Sequence, residues 1–511
     1  MMDSLRCFHI FQEINSALRL IDYFRIFEKE EYSFVLDSGR DEKKLGRFSF
    51  TGGKPFLIFK SKGENIIISH NGEVTRRKGN PFSELRKVMS GYKIDPACYH
   101  KTQIPFLGGA VGYFGYELCY FIEKFPCKGV DDLGLPDCYF MLVDNVIIYD
   151  HLLKKLYLSA VGFDRDFNIA KEKAEQTFNS IRHKMKQLER EDWSYEIKHE
   201  NLKSDFEIKI EKEKKDIEIR SMFTQEEYMD VVSKSKEHIF AGDIFEVCTT
   251  HRLETNFSGN PFELYLELRK VNPAPFASYL NFPEVITVSS SPERFLRVRS
   301  DGWGESRPIK GTRPRGKTEV EDEELYNELF SSIKDRAENM MIVDLVRNDF
   351  GRVCKFGTVE VPELMVIERY ATVFQMVSTI IGKLEEQNDY FDLIQACYPG
   401  GSMTGAPKIE AMTIIDELEP VKRGIYSGSI GYLDFSGNID LNIVIRTIIL
   451  KDGKAYFQVG GAIVADSDPK EEYLETLTKA KALISALRNV TLQEETIEDA
   501  HEPVIVKGKG R

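Results

Sequence analysis

Residues 138–161 read CYFMLVDNVIIYDHLLKKLYLSAV. Short β-rich runs of this kind, with period-two apolar patterning between turns, signal strands and hairpins. A second such stretch, PFLIFKSKGENIIISH, occupies residues 55–70. The pattern holds from about residue 15 to residue 160, broken by glycine- and proline-bearing turns. Then the period changes. FNIAKEKAEQTFNSIRHKMKQLERED, residues 167–192, sets apolar or small side chains three and four apart among charges, as an amphipathic surface helix does. Next comes a stretch dense in both signs, with EIKIEKEKKDIEIR at 207–220, which reads as a solvated connector with room for an edge strand. Beyond Thr224 helices such as TQEEYMDVVSKSKEHIFAGD alternate with strand runs as far as about Arg488, and the polar end, EDAHEPVIVKGKGR, reads as loose. The expected organisation is therefore an N-terminal block at 1–193, a charged connector at 194–221, a second block at 222–488 and a tail at 489–511.

Composition narrows the function. The chain has 511 residues with 42% hydrophobic and 30% charged, enough to bury a sizeable core and too apolar for wholesale disorder. Its net charge of −13 argues against a general nucleic-acid or anionic-membrane binder, because phosphate affinity comes from clustered cations. An anionic substrate would need positive charge, or a metal, concentrated locally. Apolar runs such as IVIRTIIL end well short of the roughly 18 residues a membrane span requires. The start, MMDSLRCFHIFQEIN, lacks the apolar core of a secretory signal, and the eight scattered cysteines form no CxxC pair. A cytoplasmic protein with reduced thiols is the expectation.

Two acid pairs stand out. In EVEDEELYNELFSSIKDRAENMMIVDLVRND, residues 319–349, a helical period puts Leu325, Leu329, Ile333 and Ala337 on one stripe, with Asp335 and Glu338 sharing a roughly opposite face. In ADSDPKEEYLETLTKAKALISALRN, Asp468 is a plausible N-cap, Pro469 suits the first turn, and Glu472 and Glu475 again share a face. Together the pairs could hold a hard divalent cation such as Mg²⁺, or they could be two solvated faces.

Glycine clusters add candidate anion sites. YPGGSMTGAPKIEAM reads as a glycine-rich loop leading into a helix near Pro407, with Lys408 as a nearby cation; a plain tight turn is the alternative. Gly460 and Gly461 are placed just after a strand, and Arg446 closes the apolar run LNIVIRT, where a ligand carboxylate or an internal salt bridge could partner it. In RPIKGTRPRG, Lys310 is either surface charge or, partly desolvated near a cation, an amine nucleophile. Upstream, SSSPERFL offers Glu293 as a proton donor if burial raises its pKa.

Seven segments, taken together, resemble the chorismate-utilising enzymes and occur in that family's order. They are GDIFEVCTTHRLE (242–254), SPERFL (291–296), PIKGTRPRG (308–316), DRAENMMIVDLVRND (335–349), PGGSMTGAPKIEAM (399–412), YSGSIGYLDFSGNIDLNIVIRT (426–447) and GGAIVADSDPKEEYLETLTKA (460–480). FVLDSGRDEKKLGRFSFTGGKP (34–55) resembles the N-terminal domain of anthranilate and aminodeoxychorismate synthase component I. The resemblance implies an α+β fold of large antiparallel sheets flanked by helices. It also implies Mg²⁺ held directly by Glu338 and Glu475 and through water by Asp335 and Glu472, gripping the ring carboxylate of chorismate. Tyr426, Arg446 and the Gly460–Gly461–Ala462 backbone would bind the substrate's carboxylates, Gly311 and Thr312 would complete the pocket, and Glu293 would donate a proton. Position 462 is Ala where the family often has a third glycine.

Lys310 points to the aminodeoxychorismate synthase branch, since anthranilate synthases usually carry alanine between PI and GT. The family mechanism has this lysine attack C2 of chorismate and expel the C4 hydroxyl, after which ammonia enters at C4 and displaces it. Two departures point the same way: Glu246 stands where the family often has Gln and isochorismate-forming relatives a lysine base, and Gln375 stands where anthranilate synthase has a histidine implicated in pyruvate loss. No cysteine lies in a glutaminase nucleophile elbow, so a separate glutamine amidotransferase subunit is implied. The rivals are anthranilate synthase component I and a non-catalytic sensor of chorismate or tryptophan. For the latter, Ser38 in LDSG and Pro275 and Phe276 in NPAPF resemble a tryptophan pocket.

Overall fold

The computed structural model describes residues 5–38, 45–94, 103–190, 217–370 and 373–501, with side chains as far as 491. Most of the charged connector lies outside the described residues. Two large antiparallel sheets carry the architecture. In the first, the strands run in the order Arg6–Ile14, Lys155–Asp164, Asn145–Asp150, Phe48–Gly53, Ser33–Asp37, Phe276–Phe282, Val285–Ser291, Thr447–Lys451, Lys454–Ile463, Glu246–Asn256 and Arg220–Ser221. The second runs Ile309–Pro314, Val373–Lys383, Trp303–Arg307, Arg294–Val298, Ile439–Asn442, Ser429–Asp434, Gly109–Phe114, Cys138–Val143, Leu57–Lys62, Asn65–His70 and Glu73–Lys78.

The opening stretch folds as its pattern says. Strand 145–150 returns as strand 155–164 in a hairpin that pairs Asp150 with Lys155. The first strand, however, begins at Arg6, nine residues of it pairing with 155–164, so β structure starts earlier than the patterning indicated. Each sheet is also shared between the two halves of the chain. Ser33–Asp37 pairs with Phe276–Phe282 in one, and Gly109–Phe114 with Ser429–Asp434 in the other. Aromatic side chains from both halves fill the space between the sheets: Phe106 stacks on Tyr432 with ring centroids 4.6 Å apart, and Tyr139 on Phe282 at 4.1 Å.

Helices cover the outer faces. Phe167–Arg190 buries Ala170, Ala174, Phe178, Ile181, Met185 and Leu188, the three-and-four spacing expected of it. Gln225–Ala241 starts in a capping box on Thr224 and stops at Gly242 in the left-handed conformation. Residues 319–349 are two helices rather than one. Ser332, extended at ψ 111°, ends Glu319–Ser331 and caps Ile333–Gly351 by accepting the Asp335 N–H at 3.2 Å. The expected apolar stripe breaks there: Leu329 is buried while Ile333 is 86% exposed. The last helix, Pro469–His501, starts on Asp468, whose Oδ1 accepts the N–H groups of Lys470 and Glu471 at 3.0 Å each. It continues past 489, so helix replaces the first part of the expected loose tail. Among the described residues no helix is long and apolar enough to cross a membrane.

Candidate active site

The site forms where the ends of the two sheets meet. Strand 309–314 is the terminal strand of the second sheet and carries Lys310, while strands 246–256 and 454–463 lie toward one end of the first. Helices 333–351 and 469–501 bring their acidic faces to the same place. Of these carboxylates, Glu338 and Glu472 are buried, Asp335 is half-buried and Glu475 is exposed.

The Lys334 ammonium shows that the two acid pairs converge. It lies 3.9 Å from Glu338 Oε1 and 3.7 Å from Glu472 Oε1, so carboxylates from two helices share one cation. Glu475 is paired with Lys479 at 2.7 Å, and Lys479 also donates to the Gly460 carbonyl at 2.8 Å. A Cβ on Gly461 would stand 3.0 Å from Glu472 Oε2 and 4.0 Å from Glu475 Oε1, which places both glutamates against the glycine backbone. Asp335 lies against Gly311 and receives Arg313 at 3.1 Å. Among the described residues no group of three or more His, Cys, Asp or Glu side chains is close enough to be a preformed metal centre. The donors are nevertheless all hard carboxylate oxygens, and two of them already converge on one positive charge. Because Mg²⁺ takes one or two carboxylates and fills its shell with water and substrate, the set suits that ion.

Burial sets the protonation states. Glu293, buried after strand 285–291, is pushed up to about 7 by desolvation, against the Ser402 hydroxyl and the Ile309 N–H that donate to it. Desolvation likewise lifts Glu338 to about 7, with Lys310 opposing. It raises Glu472 too, whereas at Glu475 the Lys479 ammonium outweighs desolvation and holds the carboxyl low. At Lys310 burial and neighbouring charge oppose each other. Burial alone would lower its pKa, but Glu246 accepts a hydrogen bond from its Nζ and Glu338 lies 3.9 Å away, and together they hold the ammonium above the ordinary lysine value.

The groups expected to contact the substrate follow. Arg446, at φ 51° in the turn between strands 439–442 and 447–451, makes no ion pair among the described residues, and burial lowers its pKa against Tyr426 and Glu475. Tyr426 is buried, Gly311 sits at φ 85° within strand 309–314, and Thr312 is exposed on that strand's edge. Gly460 and Gly461 lie inside strand 454–463 rather than after it, together with Ala462. The reason is steric: a Cβ on Gly460 would stand 2.2 Å from the Thr249 carbonyl oxygen of the neighbouring strand. Gly460→Ala should therefore cost about 1–3 kcal/mol of stability by forcing those strands apart, read as a lower denaturation midpoint in urea.

Lys408 does not serve an anion. It is tied to Asp349 at 2.7 Å and to the Cys397 carbonyl at 2.9 Å, bracing the helix Lys408–Leu418 whose start the sequence indicated. Sequence reasoning missed Lys334, Lys479 and Ser402. The first two were visible as i,i+4 partners of Glu338 and Glu475, whereas nothing local marks Ser402 as a partner of Glu293. Away from this centre, Ser38, Pro275 and Phe276 line a cavity of about 500 Å³ between the sheets, with Phe50, Tyr432 and Arg297. The Ser38 hydroxyl donates to the Pro275 carbonyl at 3.1 Å.

Comparison with known proteins follows the same lines. The family model for chorismate binding enzymes matches residues 47–485. Anthranilate synthase component 1 of Acetivibrio thermocellus is 43% identical over 471 residues, covering 91% of this chain and 92% of that one. Aminodeoxychorismate synthase component 1 of Bacillus subtilis (strain 168) is 37% identical over 469 residues, covering 92% and 94%. The crystal structure of anthranilate synthase component I from Streptococcus pneumoniae superposes with a TM-score of 0.70 at 29% identity, covering 87% of this chain and 94% of that one. With a family match across most of its length, and with both sheets and the acid-lined centre in place, the chain belongs to the chorismate-binding enzymes.

Proposed function

We propose that the protein is the synthase component that aminates chorismate at C4, releasing 4-amino-4-deoxychorismate with its enolpyruvyl group intact. The observation that carries this reading is Lys310, buried at the centre of the site with its Nζ between Glu246 and Glu338. In the proposed sequence Lys310 first gives up a proton, for which the hydrogen-bonded Glu246 carboxylate is the near acceptor. Its amine bonds to C2 of chorismate while the C4 hydroxyl leaves as water, taking the proton that Glu293 holds at about 7. Ammonia then bonds to C4 and the C2–lysine bond breaks, returning the amine. Tyr426, Arg446 and the Gly460–Ala462 backbone would hold the carboxylates, with Gly311 and Thr312 beside them. Glu338, Glu475, Asp335 and Glu472 would hold Mg²⁺, which when bound supplies a positive pole for the ring carboxylate.

A second reading, anthranilate synthase component I, has its own support: the more similar of the two relatives above carries that name, and the comparisons weigh toward it. Lys310 and Gln375 weigh against it. Both readings call for a glutamine amidotransferase partner. The isolated chain should convert chorismate with ammonium salts, and use glutamine only after an amidotransferase subunit is added. Glutamine-dependent turnover by the pure chain would contradict this. The cavity at Ser38, Pro275 and Phe276 supports an amino-acid effector such as tryptophan; calorimetric titration should show binding that Ser38→Trp abolishes, and no heat with the intact chain would remove the effector from the account.

A further inference from the structure

One ion pair outside the catalytic groups touches the backbone of three separate parts of the site. Arg423 and Glu419 are both buried, and their contact is bidentate: Nη2 to Oε1 at 2.6 Å and Nε to Oε2 at 2.8 Å. Arg423 donates further to the Met403 carbonyl at 2.7 Å, the Cys248 carbonyl at 2.8 Å and the Ser427 hydroxyl at 3.3 Å, which occupies all five of its N–H groups. Glu419 Oε1 accepts in addition from the N–H and hydroxyl of Thr250, at 2.9 and 2.8 Å.

Each of these contacts leads to a site element. Cys248 and Thr250 are the strand partners of Ala462 and Gly460, so the pair anchors the strand against which the glycine backbone is laid. Met403 belongs to the short turn Gly401–Met403, whose Ser402 hydroxyl donates to Glu293. Ser427 follows Tyr426 and sits at φ 62°, a conformation that costs a non-glycine residue strain and persists only where surroundings fix it. The Arg423 bond to its hydroxyl and the bond from its N–H to the Val444 carbonyl at 2.9 Å do so.

We propose that the Arg423–Glu419 pair is a positioning device for chorismate, setting the Tyr426 turn, the Gly460–Ala462 backbone and Ser402 on Glu293 in register with one another. This rests on the reading above that those groups contact the substrate. A pair that served stability alone would be replaceable: buried ion pairs exchanged for neutral groups of similar volume commonly leave a fold as stable as before, whereas removing one partner is damaging. The fork of Arg423 has no such substitute, since a lysine or a neutral side chain cannot reach three carbonyl and hydroxyl acceptors while pairing with Glu419.

The test separates the two roles. Chorismate affinity would be measured by calorimetry with Mg²⁺ and without ammonia, beside thermal unfolding, for the intact chain, Arg423→Lys, Glu419→Gln and the double variant Arg423→Met/Glu419→Gln. All three variants should bind chorismate at least tenfold more weakly, and the double variant should keep that defect while regaining thermal stability relative to Glu419→Gln. Arg423→Lys, which retains the charge, guards against a variant that fails to fold. Wild-type affinity in either Arg423→Lys or the folded double variant would overturn the proposal. An intact chain that does not bind chorismate would instead bring down the functional reading, and the proposal with it. Binding is read without regard to product, so the identity of the aminated product does not bear on it.

Discussion

Replacing Lys310 by alanine should slow amination by about 10²-fold or more, the scale on which a positioned reacting group acts. An ordinary lysine, with a pKa of about 10.4, is neutral only in trace at pH 7, and the carboxylates of Glu246 and Glu338 hold Lys310 higher still. In the proposed sequence the free amine is made during the reaction, by proton transfer to the Glu246 carboxylate that accepts the Lys310 hydrogen bond. The variant carries a complication that can be controlled. Glu246 is fully buried, and its Oε2 already lacks a hydrogen-bond partner among the described residues. Removing Lys310 leaves that carboxylate unpaired, at a cost of about 3–5 kcal/mol. The double variant Lys310→Ala/Glu246→Gln should restore stability without restoring amination. Recovery of turnover in the double variant would mean that Lys310 is only the counter-ion of Glu246.

Glu338→Gln and Glu475→Gln should each abolish most activity while leaving the fold intact. Glutamine keeps the size of the side chain and removes the charge that a hard divalent cation needs. Calorimetric titration should show Mg²⁺ affinity falling by about 10-fold or more in each variant, the lower end of what losing a supporting group costs a metal site. The two positions differ in one respect. Glu475 is exposed and held ionised by Lys479, whereas Glu338 is buried and raised to about 7, so the Glu338 charge costs more to maintain without a cation beside it. Unchanged Mg²⁺ affinity and turnover in both would reduce the acid pairs to charged surface.

Local spacing in the sequence made the pairing of the acids legible, while their joint role came from the family resemblance. Asp468 and Pro469 announced the start of the last helix, and Glu472 and Glu475 three residues apart lie on the face that meets Gly461. What was not legible depends on distant partners. Glu246 and Lys310 stand 64 residues apart in the chain and bond across the two sheets, and no local pattern couples them. The same holds for strand pairings between the halves, such as Val35 with Tyr279, which make each sheet continuous where composition suggested two blocks. Ser332 was a subtler loss: residues 319–349 read as one continuous helix, and only the cap it forms reveals that two helices meet there. Gly460 and Gly461 looked like a strand's end because glycine usually is, yet the neighbouring Thr249 carbonyl requires the smallness of Gly460 inside the strand, and Gly461 there faces the Glu472 carboxylate.

The central claim, amination at C4 through Lys310 with the enolpyruvyl group retained, is tested most directly by mass spectrometry of the product that the intact chain forms from chorismate, ammonium and Mg²⁺. The account predicts 4-amino-4-deoxychorismate, which a separate lyase would be needed to carry to 4-aminobenzoate. Free anthranilate as the main product would contradict it and establish the second reading.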